Sequence, residues 1–242
     1  MNPLEIKKII PQENTSTYIT EYNCSRCLDM GVVDVGNNTV EACDCAKQKK
    51  KQQKVDQLFK SARIPKRYLS KTLQNFDVEL QPRPHRIATD YIKNWRECSD
   101  NGDSLFFVGD VGTGKSHLAY AILNELIKKG VPGMAVSVPD LMDDLRVTGS
   151  EAMEALKEID LLVLDDLGSQ KNTEWVTERL FVILNSRYSD LKPTIITSNH
   201  RLEVLKQTEG WMRIVDRIIE MCLLIRVEGK SYRQMQRGAK NG

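Results

Sequence analysis

The chain has 242 residues, 40% hydrophobic and 28% charged, with a formal net charge of +2. That length and composition exclude a disordered chain and leave room for one full core with a small second module, and the near-neutral balance excludes a whole-surface polyanion binder. No apolar run reaches membrane-spanning length, and the opening "MNPLEIKKIIPQEN" carries charges where a signal peptide needs its apolar stretch, so the expected address is the cytoplasm, with no membrane partner.

In chain order, the first feature is "CSRCLDMGVVDVGNNTVEACDC", which holds Cys24, Cys27, Cys43 and Cys45. Paired cysteines in a reducing compartment read as a zinc site rather than as disulfides. The stretch between the pairs has a hairpin pattern, "GVVDV" and "TVEAC" around "NN", which brings four thiolates around one tetrahedral Zn²⁺. The second pair is C-x-C, tighter than the usual C-x-x-C. Next comes "AKQKKKQQKVDQLFKSA", with Val55, Leu58, Phe59 and Ala62 on one helical stripe, which predicts a helix docking an apolar face. From Lys47 to Lys71 basic residues face a single acid, Asp56, a pattern shared by solvated helix faces and by nucleic-acid or acidic-partner contacts. The breaker-rich "RIPKRYLSKTLQNFDVELQPRPH" predicts a connector. The expected organisation is a zinc-binding module with a basic helix over 1–60, a linker over 61–85 and an ATPase domain over 86–242.

The last part alternates strand-like and helix-like runs. A helix from Arg86 to Glu97 precedes strand "SLFFVG", helix "KSHLAYAILNELIKKG", strand "GMAVSV", helices "PDLMDDLR" and "SEAMEALKE", and strand "DLLVLDD". Helix "TEWVTERLFVILNSRYSD", strand "PTIITSN", helices through "RIVDRIIE" and strand "CLLIRVEG" complete it. Apolar strands between amphipathic helices predict an α/β fold with a parallel sheet covered on both faces, and ligands then bind at the strands' carboxyl ends.

Chemistry concentrates at those ends. Gly109, Asp110, Val111, Gly112, Thr113, Gly114, Lys115 and Ser116 form G-x-x-x-x-G-K-[ST] between a strand and a helix, and His117 follows. Glycines let backbone N–H groups wrap phosphate oxygens, the helix aims its positive end at them, and Lys115 reaches the outer phosphates. The expected ligand is ATP, with Mg²⁺ held by Ser116 and by Asp165 at the end of "LLVLDD". Asp166 is then placed to orient or deprotonate the attacking water, and Asn199, after "TIITS", to help position it.

The series "GDVGTGKSH", "LLVLDDLG", "NSRY", "KPTIITSN", "RIVDRI", "GKSYR" resembles the AAA+ ATPases of the DnaC/DnaI helicase-loader group, which also includes the IstB transposition ATPases. The resemblance runs from Ile64 to Arg233. It implies an AAA+ core with Walker A at Gly109–Ser116, Walker B at Asp165 and Asp166, sensor 1 at Asn199, an arginine finger at Arg217 and a sensor 2 arginine at Arg233. Arg213 shares a helical face with Arg217 and competes for the finger's role. Asp166 stands where many AAA+ proteins have glutamate, one methylene longer, which predicts slow hydrolysis. The few residues after Arg233 leave no room for a helical lid, so a neighbouring copy supplying Arg217 is expected to complete the pocket and make turnover depend on self-association. The resemblance also implies contact between "VSVPDLMDDLR" and single-stranded DNA, assigned to backbone amides and Arg146. The expected function is ATP-dependent loading of a DnaB-type hexameric helicase onto single-stranded DNA. An IstB-like transposition helper on duplex DNA is the alternative, and a small-molecule phosphotransferase is disfavoured by the tandem aspartates and the absence of a substrate-binding insertion. The cysteine module resembles the loaders.

Overall fold

The computed structural model describes residues 22–36, 39–148, 150–229, 231–232 and 234–235. The predicted turn at 37–38 and Arg233 lie outside them. The chain divides into two compact units, residues 1–51 and 52–242.

In the first unit, strands β1 (Val32–Gly36) and β2 (Thr39–Ala42) pair antiparallel, with Val32 opposite Ala42 and Asp34 opposite Val40. Ahead of them the chain turns through left-handed backbone at Leu28 (φ 47°) and Asp29 (φ 64°). The Asp29 carboxylate holds this turn, accepting the backbone N–H groups of Asn23 at 3.1 Å and Cys24 at 3.0 Å. Helix α1 (Asp44–Ser61) carries an acid, Asp44, in its first turn and a base, Lys60, in its last, each opposite in sign to the helix end it faces. Its predicted stripe holds: Val55 and Ala62 are buried, and Leu58 and Phe59 pack against the core of the second unit, to which they belong.

The second unit is a five-stranded, all-parallel sheet in the order β4-β5-β6-β3-β7. Before the sheet come helices α2 (Pro82–Lys93) and α3 (Trp95–Asn101). Strand β3 (Ser104–Val108) leads into α4 (Lys115–Lys128), and β4 (Gly133–Ser137) into α5 (Val138–Thr148) and α6 (Ser150–Glu158). Strand β5 (Leu161–Leu167) leads into α7 (Glu174–Ser189), and β6 (Thr194–Ser198) into α8 (Leu202–Lys206) and α9 (Met212–Met221) before β7 (Cys222–Arg226). Side chains alternate across the sheet with the period of two that a strand imposes. Phe106, Leu164 and Ile196 pack with the helices from α5 to α9, while Leu105, Phe107, Val163 and Ile195 pack with α2 and α4. Each fully buried Phe or Leu here contributes roughly 1.5–3 kcal/mol. No helix among the described residues is long and apolar enough to cross a membrane.

Two expectations are corrected. The helix expected over Arg86–Glu97 starts at Pro82, because proline suits a first helical turn, and it breaks at Asn94 into α2 and α3. The linker expected over 61–85 belongs to the second unit: Ala62, Leu73 and Phe76 are buried in its core, and the N–H of Ala135 on edge strand β4 donates to Ala62 O at 2.9 Å. Breaker residues mark this segment as irregular backbone, but its apolar side chains still go inside.

Candidate functional site

The sheet order puts β3 between β6 and β7, with β5 next to β6, so the carboxyl ends of β3, β5 and β6 converge at one rim. The glycine loop leaves β3 there. A Cβ on Gly109 would lie 2.0 Å from Val227 O, and Gly114 takes φ 107° with the Phe76 ring 2.8 Å from the place of a Cβ. Any larger side chain would push the loop off its neighbours. The Lys115 ammonium is buried and donates to Gly109 O at 2.8 Å and Asp110 O at 2.7 Å, so the loop's own carbonyls occupy the cation.

Asp165 and Asp166 sit where the pairing of β5 with β6 shifts register, between Leu164 and Leu167, and Asp166 takes left-handed backbone at φ 64°. Such an irregularity costs energy inside a sheet, and here it brings two consecutive carboxylates to one rim. The Asp165 Oδ1 atom accepts from Ser116 Oγ at 2.8 Å and from Thr197 Oγ1 at 2.6 Å. Burial pushes the Asp165 carboxyl above its ordinary value, against the pull of these two hydrogen bonds. A buried carboxylate in that balance gains from a cation beside it, so the Ser116 and Asp165 oxygens fit a hard divalent ion. Asn199 Nδ2 donates to Asp166 Oδ1 at 2.7 Å, and the Asp166 N–H donates to Thr197 Oγ1 at 2.9 Å. Lys115, Ser116, Asp165, Asp166 and Asn199 thus line one cavity of about 320 Å³.

Another part of the cavity's lining carries no motif in the sequence. It comes from the segment after α1, through Arg67, Tyr68, Phe76, Leu80 and Gln81. Tyr68 stacks on Tyr120 of α4 at 4.1 Å, and buried Asn124 donates to Tyr68 O at 2.9 Å and Lys71 O at 2.8 Å. An asparagine inside the apolar run "AYAILNELI" was the available signal, since such a side chain needs carbonyl partners. His117 also lines the cavity, but its Nε2 pairs with Thr72 O at 2.9 Å and its ring meets Phe76 edge-on at 5.1 Å. Arg217, on α9, does not line the cavity. Its Nε donates to Asn185 Oδ1 at 3.0 Å and its Nη1 to Glu220 Oε2 at 2.6 Å. Arg213 lies over the Phe181 ring at 4.3 Å. Arg146 pairs with Asp143 at 3.3 Å and faces the Trp175 ring at 5.4 Å.

In the first unit the ligand atoms of Cys24, Cys27, Cys43 and Cys45 all lie within 4.8 Å of one another. The Sγ atoms of Cys24 and Cys43 are 3.8 Å apart and those of Cys27 and Cys45 are 3.3 Å apart. A tetrahedral zinc with Zn–S bonds of about 2.3 Å sets its sulfurs about 3.8 Å apart, so the four thiols fit that ion. The cluster splits its thiols: the Gly31 N–H donates to Cys27 Sγ at 3.3 Å and the amides of Cys27 and Arg26 draw the Cys24 thiol down to about 7, while the Cys27 sulfur and burial push Cys45 up to about 12.

Residues 38–240 match the family described as IstB-like ATP binding protein. The chain is 30% identical to the replicative helicase loader DnaI of Bacillus subtilis (strain 168), over 95% of this chain and 82% of that protein. The crystal structure of the DnaC helicase loader superposes with a TM-score of 0.58 at 31% identity, covering 67% of this chain and 99% of that one. The replication initiator DnaA bound to AMPPCP and single-stranded DNA gives a TM-score of 0.59 at 27% identity, over 71% of this chain and 55% of that one.

Proposed function

The chain belongs to the IstB-like ATP binding protein family, and from that premise we propose that it is an ATP-dependent loader that binds a DnaB-type hexameric helicase and delivers it onto single-stranded DNA. The observation that carries the ATPase half is the convergence of Lys115, Ser116, Asp165, Asp166 and Asn199 on one cavity. Lys115 exchanges the carbonyls of Gly109 and Asp110 for phosphate oxygens when nucleotide enters. Ser116 and Asp165 would hold magnesium, which would supply positive charge beside those oxygens. Asp166, steered by Asn199, accepts a proton from the attacking water or orients it, and its short side chain keeps turnover slow. Arg217 stands outside its own chain's cavity, which supports its action on the nucleotide of a second copy and ties turnover to self-association.

The cysteine unit supports the choice of a loader over a transposition helper: similarity to DnaI extends over 95% of this chain, so it includes the part that carries these thiols. Cys24, Cys27, Cys43 and Cys45 hold zinc, and the hairpin they fix docks the helicase. The test is a loading assay with purified hexameric helicase on circular single-stranded DNA. Helicase transfer should require the chain and ATP, and Asp165→Asn should stop turnover while sparing nucleotide binding. A chain that transfers no helicase but stimulates a transposase on duplex DNA would replace this reading with the transposition one.

A further inference from the structure

Arg217 is held from three sides. Its Nε donates to Asn185 Oδ1, its Nη1 donates to Glu220 Oε2, and its guanidinium carbon lies 4.9 Å from the centroid of the Tyr188 ring. Glu220 is fixed in turn, because the Tyr188 hydroxyl donates to its other oxygen, Oε1. Asn185 and Tyr188 project from α7, while Glu220 lies one turn beyond Arg217 on α9. A single carboxylate therefore links the ring under the guanidinium to the guanidinium's edge. Among the described residues, Nη2 of Arg217 makes no hydrogen bond, and the side chain remains 28% exposed.

The other arginines nearby show what this arrangement is not. Arg187, also on α7, is wholly buried and spends its guanidinium on Thr194 Oγ1 and the carbonyls of Leu156, Lys157, Ile159 and Pro193, which makes it structural. Arg213, one turn before Arg217, lies over Phe181 with no hydrogen bond or ion pair among the described residues. Arg217 alone of the three is both fixed along one edge and accessible. A long cationic side chain loses rotamer freedom on engaging an anion, and one already fixed loses less.

We infer that Asn185, Tyr188 and Glu220 form a cradle that presents Nη2 of Arg217 to the terminal phosphate of a nucleotide bound by a second copy of this chain. They are positioning residues. The inference rests on the proposed action of Arg217 between copies.

The experiment uses full-length chains under conditions where co-assembly is demonstrated by sedimentation. In Glu220→Gln the pair with Arg217 loses its charge, and kcat for ATP should fall about tenfold to hundredfold, as for a misplaced reacting group, with KM unchanged. Mixing this variant with Lys115→Ala, whose pocket is dead but whose Arg217 is intact, should restore turnover. Mixing it with Arg217→Ala should not. Tyr188→Phe, which deletes only the hydroxyl that fixes Glu220, should show the same pattern more weakly and carries the test if Glu220→Gln fails to fold. Unchanged turnover in the folded variants, rescue by Arg217→Ala, or a rise in turnover, which would make Glu220 a restraint, overturns the cradle. A control mixture of Arg217→Ala with Lys115→Ala separates the two levels. Recovery there with unaffected cradle variants removes only the cradle, whereas no recovery removes the action between copies on which it rests.

Discussion

In the ATP-binding unit Phe106, Phe107, Leu164 and Ile196 are wholly buried between two layers of helices, whereas in the cysteine unit Val32, Val35 and Val40 are 44%, 50% and 65% exposed. Among the described residues up to Lys51, only the side chains of Cys27 and Cys43 are buried. The first unit thus buries two of its four thiols and shows these valines, whereas the second buries its apolar strands. A two-stranded hairpin with an exposed apolar face is marginal on its own, so it needs a cross-link that the sheet does not. The contrast assigns one source of stability to each unit, and each can be removed separately.

The largest effect comes from removing the metal's ligands. Replacing Cys24 and Cys27 by serine should lower zinc from about one per chain to about none, and hydrogen exchange over 22–45 should become fast, while the sheet keeps its protection. Protection retained in the hairpin, or loss spreading into the sheet, would erase the distinction between the units. Next comes the polar bolt inside the apolar unit. Arg187→Met leaves several buried carbonyls without a donor and should cost the ATP-binding unit about 3 kcal/mol or more by urea unfolding, with zinc content unchanged. A cost within experimental error would mean that those carbonyls find other donors.

Lys115→Ala tests the rim rather than the core. Removing the buried ammonium should weaken binding of a fluorescent ATP analogue about tenfold to hundredfold, with little change in unfolding. Unchanged affinity would end the phosphate-loop assignment. The smallest effect is one of pH. Burial holds His117 below its ordinary value, against the pull of the Thr72 carbonyl. Between the lowered folded value and the unfolded one near 6.5, the unfolded chain binds the extra proton, so stability rises with pH through that window. The contribution is present above about pH 6.5 and is lost as pH falls through the folded value. Acidification from neutral pH should therefore destabilise the wild-type ATP-binding unit more than its His117→Gln variant, and parallel stability curves would contradict this.

Much of the ATP-binding unit was legible because its signals are local. The run "DLLVLDD" reads as a buried strand ending on carboxylates from composition alone, and the spacing from Gly109 to Ser116 carries its own geometry. The irregular pairing that lifts Asp166 and the burial of Arg187 depend on neighbours far along the chain, which no window of sequence displays. Segment 61–81 shows the limit best. Prolines and polar residues spell a connector, yet Phe76 and Tyr68 form a wall of the cavity because α4 offers Tyr120 and Asn124 to hold them. Cys24, Cys27, Cys43 and Cys45 were legible as a set because cysteine is rare enough for four in one stretch to imply a shared partner.

In the proposed division of labour the cysteine unit recruits the helicase while the sheet handles ATP. Native mass spectrometry of the full chain mixed with a purified DnaB-type hexamer separates the two roles, with the Cys24→Ser/Cys27→Ser chain measured alongside and nucleotide binding checked on both. The expected result is a complex with the hexamer for the wild-type chain, none for the zinc-depleted chain, and equal ATP affinity for the two. A wild-type chain that leaves the hexamer alone, or a zinc-depleted chain that still binds it, would contradict the claim.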